Sequence, residues 1–378
     1  MARIIVGSYV VRFPVGGYLS WVLQWLVGFQ RLGHEVYFVE KAGWPKACYD
    51  PSTDTMGDDC SYGVSMLNDL FKRFDLNDRW CFVDAAGVYH GMPRDRVEGV
   101  FSTADLFVDM GTHGSWLAEA ANTTVRVLVD GDPGYTQMRA IARGEDLGDY
   151  DFFYSVGRNV GTAASTVPTM GKPWRPVFDP VVLDLFPVRP ACANAAFTTI
   201  MVWQPYRAIE YEGRVYGAKN LEFMKFLDLP HRTSVPLEVA LSGDPVPIEQ
   251  LQGAGWRIQN PLAVTETWEK FRDYVAASRG EFTVCKNYYV ATSSGFFSDR
   301  SAVYLASGRP VVMQDTGLEG HLPDGRGLFT VRSVEEAADA IEQIANHYDM
   351  HSRCAHEVAA EYLEASKVLT RLLGEVSM

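Results

Sequence analysis

Phe282-Thr283-Val284-Cys285-Lys286, a polar loop, and then Ser294-Gly295-Phe296-Phe297-Ser298-Asp299-Arg300-Ser301-Ala302-Val303-Tyr304-Leu305-Ala306-Ser307-Gly308-Arg309-Pro310-Val311-Val312 read as strand, loop, short helix, glycine stop and strand. Ser298 is a good N-cap, because its hydroxyl can accept an orphan backbone N–H of the first helical turn. Arg300 is out of place there. A cation in the first turn opposes the helix dipole and costs about 0.3–1 kcal/mol. A bound anion reverses that sign, since free N–H groups and the dipole converge on phosphate at a helix N-terminus. Ser298, Arg300 and Ser301 are therefore read as a diphosphate seat. The plainer alternative is a capped helix whose Arg300 pairs with Asp299.

The same alternation extends outward in both directions. In the second half, strands are expected over residues 198–203, 235–241, 256–260, 281–286 and 309–314. Helices are expected near 219–227, 265–278, 298–307 and 334–347, with one long helix over 351–373. The first half reads as strand 3–8, helix 18–32 and strand 35–40, with further strands at 104–110, 125–130 and 151–155. Between the halves stand six prolines, from Pro168 to Pro190. Proline is excluded from helix interiors and central strands, so this stretch is an extended linker. The expectation is an α/β chain of two Rossmann-like, doubly wound lobes facing across a cleft. The first covers residues 1–185 and the second 186–350, with a C-terminal helix, 351–378, packing back toward the first lobe. Ligands in such sheets lie beyond the carboxyl ends of the strands.

Composition narrows the function. With 47% apolar and 21% charged residues the chain reads as globular. A net charge of −13 without a basic run argues against a nucleic-acid partner. Six scattered cysteines, Cys48, Cys60, Cys81, Cys192, Cys285 and Cys354, show no paired short spacing, so neither a zinc framework nor a disulfide scaffold is expected. Met1 to Gly7 reads as a first strand rather than a signal peptide, and no stretch is long and apolar enough to span a membrane. A cytoplasmic location follows as an expectation. His347 and His351 are four apart but lack companion ligands, so no metal site is expected.

The run Tyr304-Leu305-Ala306-Ser307-Gly308-Arg309-Pro310-Val311-Val312 resembles the donor-site helix and strand of GT-B glycosyltransferases. The opening of the chain resembles the start of their N-terminal lobes, with a strand, the Gly16-Gly17 loop, a helix, and then Gly33-His34-Glu35-Val36. The resemblance spans the chain in architecture and is specific around 16–39 and 295–317. One feature departs from it. Many retaining members carry two glutamates bracketing the donor helix, and those places hold Gly295 and Val303 here.

The resemblance implies a nucleotide-sugar donor on the C-terminal lobe and an acceptor on the N-terminal lobe. It also implies a cation after the first C-lobe strand holding the diphosphate. Lys219 is the candidate, with Arg207 and Arg214 competing. Lys286, at the carboxyl end of its strand, is a second candidate contact. Asp299 and the turn Asp315-Thr316-Gly317 are donor-sugar or ribose candidates, although Asp and Gly are also ordinary turn residues. Gly16 and Gly17 permit close backbone approach to an acceptor. His113, between Gly111 and Gly114, is a candidate for contact with the donor sugar. Asp132 or Asp130 is a candidate general base, and Asp132 alternatively caps a helix beginning at Pro133. The co-substrate would be a nucleoside-diphosphate sugar, with no separate cofactor and protein cations in place of a metal.

The function expected is transfer of a sugar from a nucleoside-diphosphate sugar to a hydroxyl of a small molecule or glycan. A nucleotide-sugar epimerase and a non-catalytic two-lobed binding protein are the alternatives.

Overall fold

The computed structural model describes residues 1–192, 194–243 and 245–377. The first lobe runs β1(Arg3–Gly7), α1(Gly16–Arg31), β2(Glu35–Lys41), the hairpin β3(Cys48–Asp50) and β4(Thr55–Gly57), α2(Ser61–Lys72), β5(Trp80–Val83), β6(Tyr89–Gly91), α3(Arg94–Ser102), β7(Leu106–Asp109), β8(Val125–Asp130), α4(Tyr135–Arg143), β9(Phe152–Ser155) and β10(Trp174–Pro176). Its eight-stranded sheet has the order β10-β9-β8-β7-β1-β2-β5-β6. All pairings are parallel except β5–β6. Strands covered on both faces bury every side chain, which is why Ile4-Ile5-Val6 and Leu106-Phe107-Val108 read as unbroken apolar runs. The chain starts at β1 and winds outward on both sides, so the order reverses between β1 and β7.

The second lobe runs β11(Phe197–Val202), the hairpin β12(Ile209–Tyr211) and β13(Arg214–Tyr216), α5(Lys219–Phe223), β14(Leu237–Ser242), α6(Ile248–Gly253), β15(Arg257–Gln259), α7(Pro261–Thr265), α8(Trp268–Ala277), β16(Gly280–Thr283), α9(Asn287–Ala291), α10(Asp299–Ala306), β17(Val311–Gln314), β18(Leu328–Val331), α11(Val334–Asn346), α12(Tyr348–Val358) and α13(Ala365–Glu375). Six parallel strands stand in the order β15-β14-β11-β16-β17-β18. This is the doubly wound order of a dinucleotide-binding sheet, whose ligand crevice opens between its first and fourth strands, here β11 and β16.

Three features differ from the sequence reading. The final helix is broken: α12 ends at Val358, a π-turn spans Ala359–Leu363, and Glu364 caps α13 by accepting the N–H groups of Ser366 and Lys367. The break lets α12 lie on α10 of the second lobe while α13 crosses to α1 of the first. Gly28 makes that crossing close, since a Cβ there would sit 2.6 Å from Leu369 Cδ1. The proline-rich stretch is extended but not idle: Val181 pairs with the backbone flanking Glu364, and Val182 N–H donates to Gln24 Oε1 at 2.6 Å. Finally, Gly16 and Gly17 open α1 rather than forming a loop. A Cβ on Gly16 would lie 2.5 Å from the Thr267 carbonyl and from Phe271 Cβ, so this glycine is needed for contact with the other lobe, ahead of any acceptor.

Candidate functional site

At the C-lobe crevice, β11 and β16 deliver two lysines by different routes. Lys286 is the N-cap residue of α9, three residues beyond β16. Lys219 is the first residue of α5, reached from β11 through the β12–β13 hairpin. That hairpin turns at Glu212 (φ 49°) and Gly213 (φ 73°), both left-handed, as a two-residue turn of the primed type requires. Beneath Lys219 lies a buried polar floor. Glu222 accepts from Asn287 Nδ2 at 2.7 Å and from Gln314 Nε2, while Gln314 Oε1 accepts the Cys285 N–H at 3.2 Å.

Lys219 is half-buried, and among the described residues its amine has no hydrogen-bond or ion-pair partner. Burial, and after it the Arg300 guanidinium, depress its pKa to about 7, with Lys286 acting in the same direction. Burial and the two neighbouring cations favour the neutral amine, and an anion bound beside it would restore its charge.

Arg300 is differently placed from the sequence reading. Its guanidinium turns inward, donating from Nε to Glu281, from Nη1 to the Ile200 carbonyl at 2.8 Å and from Nη2 to Thr283 Oγ1 at 2.7 Å. Glu281 is fully buried, so this is an internal ion pair and not the Asp299 pairing. Ser298 does cap α10, accepting the Arg300 N–H at 3.2 Å. Ser301 is fully buried, and among the described residues its hydroxyl has no hydrogen-bond partner.

Across the crevice, Asp132 takes Lys286 Nζ on both oxygens, at 2.8 and 2.9 Å, and also accepts from the Tyr289 hydroxyl. It does not cap α4, whose N-cap is Gly134 with the Gln137 side chain closing the turn at 2.7 Å. Asp130 is buried and occupied by the Asp132 N–H, Thr136, Gln137 and Ser155, which removes it as a base. Aromatic rings wall this bridge. Tyr206, from the segment leading into β12, stacks on Tyr135 of α4 at 4.1 Å and 15°. The Lys286 amine lies 4.8 Å from the Tyr206 ring centroid and 5.4 Å from that of Tyr289. Asp132 and then burial push the Tyr206 phenol far above its ordinary pKa, so it stays a donor.

A second carboxylate meeting lies at the base of α10. Asp179, in the linker, accepts from Trp21 Nε1 at 2.8 Å and Trp25 Nε1 at 3.2 Å. Burial, and then the charge of Asp299, raise its pKa to about 7. Asp299 is raised as well, chiefly by burial. Asp299 thus lies near a second acid, while the Arg300 charge, though bonded to Glu281, still acts to lower the Asp299 pKa.

The remaining sequence candidates hold other places. His113 (φ 52°) sits on the loop after β7, 3.4 Å from Arg139; burial and then Arg139 lower its pKa, while the charge of Asp132 at the crevice acts in the opposite direction. Asp315 closes its own turn through the Gly317 N–H at 2.8 Å and pairs with Arg332 at 2.8 Å. Thr316 Oγ1 donates to the Phe296 carbonyl, and Asn159 of the first lobe donates to the Gly317 carbonyl at 2.8 Å, so this turn is part of the lobe–lobe seam. Arg207 and Arg214 are exposed around the hairpin. Tyr206, Tyr289, Asp179, Glu222 and Glu281 were not singled out by the sequence. Only Tyr288-Tyr289, two and three residues after Lys286 near a strand's end, carried a local signal.

No protein-family model matches the chain, and no curated protein matches it either. Solved structures do match. An alpha-glucosyltransferase (AGT) in complex with UDP superposes with a TM-score of 0.59 at 10% identity over 100% of both chains. Sucrose-phosphate synthase from Thermosynechococcus elongatus gives 0.57 at 13% identity, over 100% of this chain and 99% of that one. AviGT4, a glycosyltransferase involved in Avilamycin A biosynthesis, gives 0.53 at 13%, over 99% and 97%. An alpha-glucosyltransferase complex with UDP and a 13-mer DNA is also among the matches. The fold is that of the GT-B glycosyltransferases.

Proposed function

We propose that the protein is a glycosyltransferase that moves a sugar from a nucleoside-diphosphate sugar, with UDP-sugars the first donors to test, to an acceptor hydroxyl. The observation that carries this reading is the Lys219 amine at the C-lobe crevice, which among the described residues has no ion-pair partner and which burial and two neighbouring cations push toward its neutral form for want of a counter-charge. The donor diphosphate supplies that charge. Support also comes from neighbours of the same fold whose names include UDP.

In the reaction the bond between the anomeric carbon and the diphosphate oxygen breaks, and its electron pair leaves on that oxygen. Fixed cations stabilise this developing charge more than the ground state, which is the condition for a rate gain. Lys219 is the first such cation. Lys286 is the second, once the diphosphate draws it from Asp132. That exchange couples donor binding to catalysis, because it frees the Asp132 carboxylate on the acceptor side. The acceptor proton leaves either to Asp132 or to the departing phosphate oxygen, and the anomeric configuration of the product tells these apart. Arg300 acts indirectly, through its charge beside Lys219. Tyr206 and Tyr289 close the site over the bond being broken and exclude water, which suppresses donor hydrolysis.

The acceptor is a small molecule or glycan in this reading, and the cation cluster serves in place of a metal. A net charge of −13 disfavours a DNA acceptor. The test is a donor screen with and without candidate acceptors. Acceptor-dependent release of UDP with a new glycoside supports the proposal. Formation of a sugar epimer without UDP release, or no turnover of any donor, overturns it.

A further inference from the structure

We propose that Cys60, Asp84 and His90 form a binding site for a single zinc ion on the rim of the first lobe, separate from the donor crevice. Cys60 Sγ lies 3.5 Å from His90 Nε2, and Asp84 Oδ2 lies 3.0 Å from the same nitrogen. All three atoms fall within 4.8 Å of one another. One imidazole N–H can be shared between the carboxylate and the sulfur, and a metal ion in place of that proton would be held by the same three atoms. With Zn–S about 2.3 Å and Zn–N and Zn–O about 2.0–2.2 Å, tetrahedral ligands stand roughly 3.6 Å apart for S and N and roughly 3.4 Å for N and O. The S–N and N–O separations, 3.5 and 3.0 Å, are within about 0.4 Å of these, and Cys60 Sγ and Asp84 Oδ2, within 4.8 Å of each other, would draw together to about 3.6 Å on a bound ion.

Each ligand is aimed by its own surroundings. The other oxygen of Asp84, Oδ1, accepts the N–H groups of Ala86 and Val88, both at 2.9 Å, which turns Oδ2 toward the site. His90 stands on β6 opposite Phe82 of β5, so the sheet fixes its backbone. Cys60 is the residue immediately before α2, so the start of that helix fixes its backbone. The His90 and Asp84 side chains are 29% and 17% exposed, which leaves an ion a route from solvent. A thiolate and a carboxylate neutralise a divalent ion, and a sulfur–nitrogen–oxygen set selects zinc over magnesium or calcium. Asp84 and His90 come from the β5–β6 hairpin, six residues apart, and Cys60 from the start of α2. Their joint effect is to staple the segment that carries the β3–β4 hairpin to the sheet edge at β5 and β6. A water would complete the tetrahedron.

The test uses untagged full-length protein stripped with chelator and titrated with Co²⁺ as probe. The expected result is one cobalt per chain, with a thiolate-to-cobalt absorption band that Zn²⁺ displaces. Cys60→Ala and His90→Ala abolish the band, Asp84→Asn weakens affinity by at least the ~10–100-fold that loss of an outer-shell partner costs, and Cys354→Ala leaves it unchanged. A wild-type spectrum equal to that of free aqueous cobalt overturns the proposal, even if the variants fail to fold. A band that survives Cys60→Ala overturns it equally.

Discussion

Lys219 and Lys286 stand on the same edge of the same sheet, yet their circumstances are opposite. Lys286 is neutralised by Asp132 reaching over from the other lobe. Lys219 has burial, two neighbouring cations and, among the described residues, no ion-pair partner. Arg300, close to both, is balanced from within by Glu281. Three cations at one crevice therefore hold three states: internally paired, paired across the cleft, and unpaired. Only the last two can answer a ligand.

The largest expected effect concerns the internally paired cation. Arg300→Ala leaves Glu281 buried with no partner, so it should cost about 3–5 kcal/mol of stability, measured by urea unfolding. An affinity loss for UDP without a stability loss would instead make Arg300 a direct ligand. Next comes Lys219→Ala. It should lower turnover about 10²–10³-fold, comparable to removing one preorganised transition-state donor, with the fold intact by circular dichroism. Asp132→Asn should act in two directions at once. Freed of its competitor, Lys286 binds UDP more tightly, by about tenfold or 1.4 kcal/mol, while transfer falls. Equal or weaker UDP binding in that variant breaks the exchange between Asp132 and the diphosphate.

The smallest effects are those of pH. In the free protein the Lys219 amine loses its proton above about 7, and a diphosphate must restore it. UDP affinity should therefore fall as pH rises above 7, by at most about tenfold per unit, with proton uptake seen as a buffer-dependent binding enthalpy. Asp179 gives the opposite kind of signal, in stability. Its folded pKa, about 7, lies above the ordinary carboxylate value. The folded state keeps a proton that the unfolded state releases, so this group's contribution favours folding at low pH and is lost as pH rises from about 4 to about 7. Asp179→Asn should flatten that slope, since an amide oxygen still accepts from Trp21 and Trp25.

The sequence revealed what repeats along the chain and missed what meets across it. Buried parallel strands are apolar on both faces, so β1, β2, β7, β8 and β17 stood out, and the cap at Ser298 was local enough to read. Short elements such as β5, and β6 at the sheet edge, were too brief to read as runs. Arg300 looked misplaced because its partner, Glu281, is nineteen residues away on the neighbouring strand, with both ends apolar in pattern. Asp132 looked like a cap because proline and glycine follow it, whereas its real partners lie in the other lobe. Lys219 was legible through its place after the first C-lobe strand, but its lack of a counter-charge is a property of the folded packing alone.

The most direct measurement is calorimetric comparison of UDP with uridine, in wild type and in Lys219→Ala, at pH 7. Wild type should prefer UDP strongly, and the variant should lose most of that preference while keeping its affinity for uridine. An undiminished preference for UDP in the variant would contradict the role given to Lys219, and with it the account of the crevice as a diphosphate site.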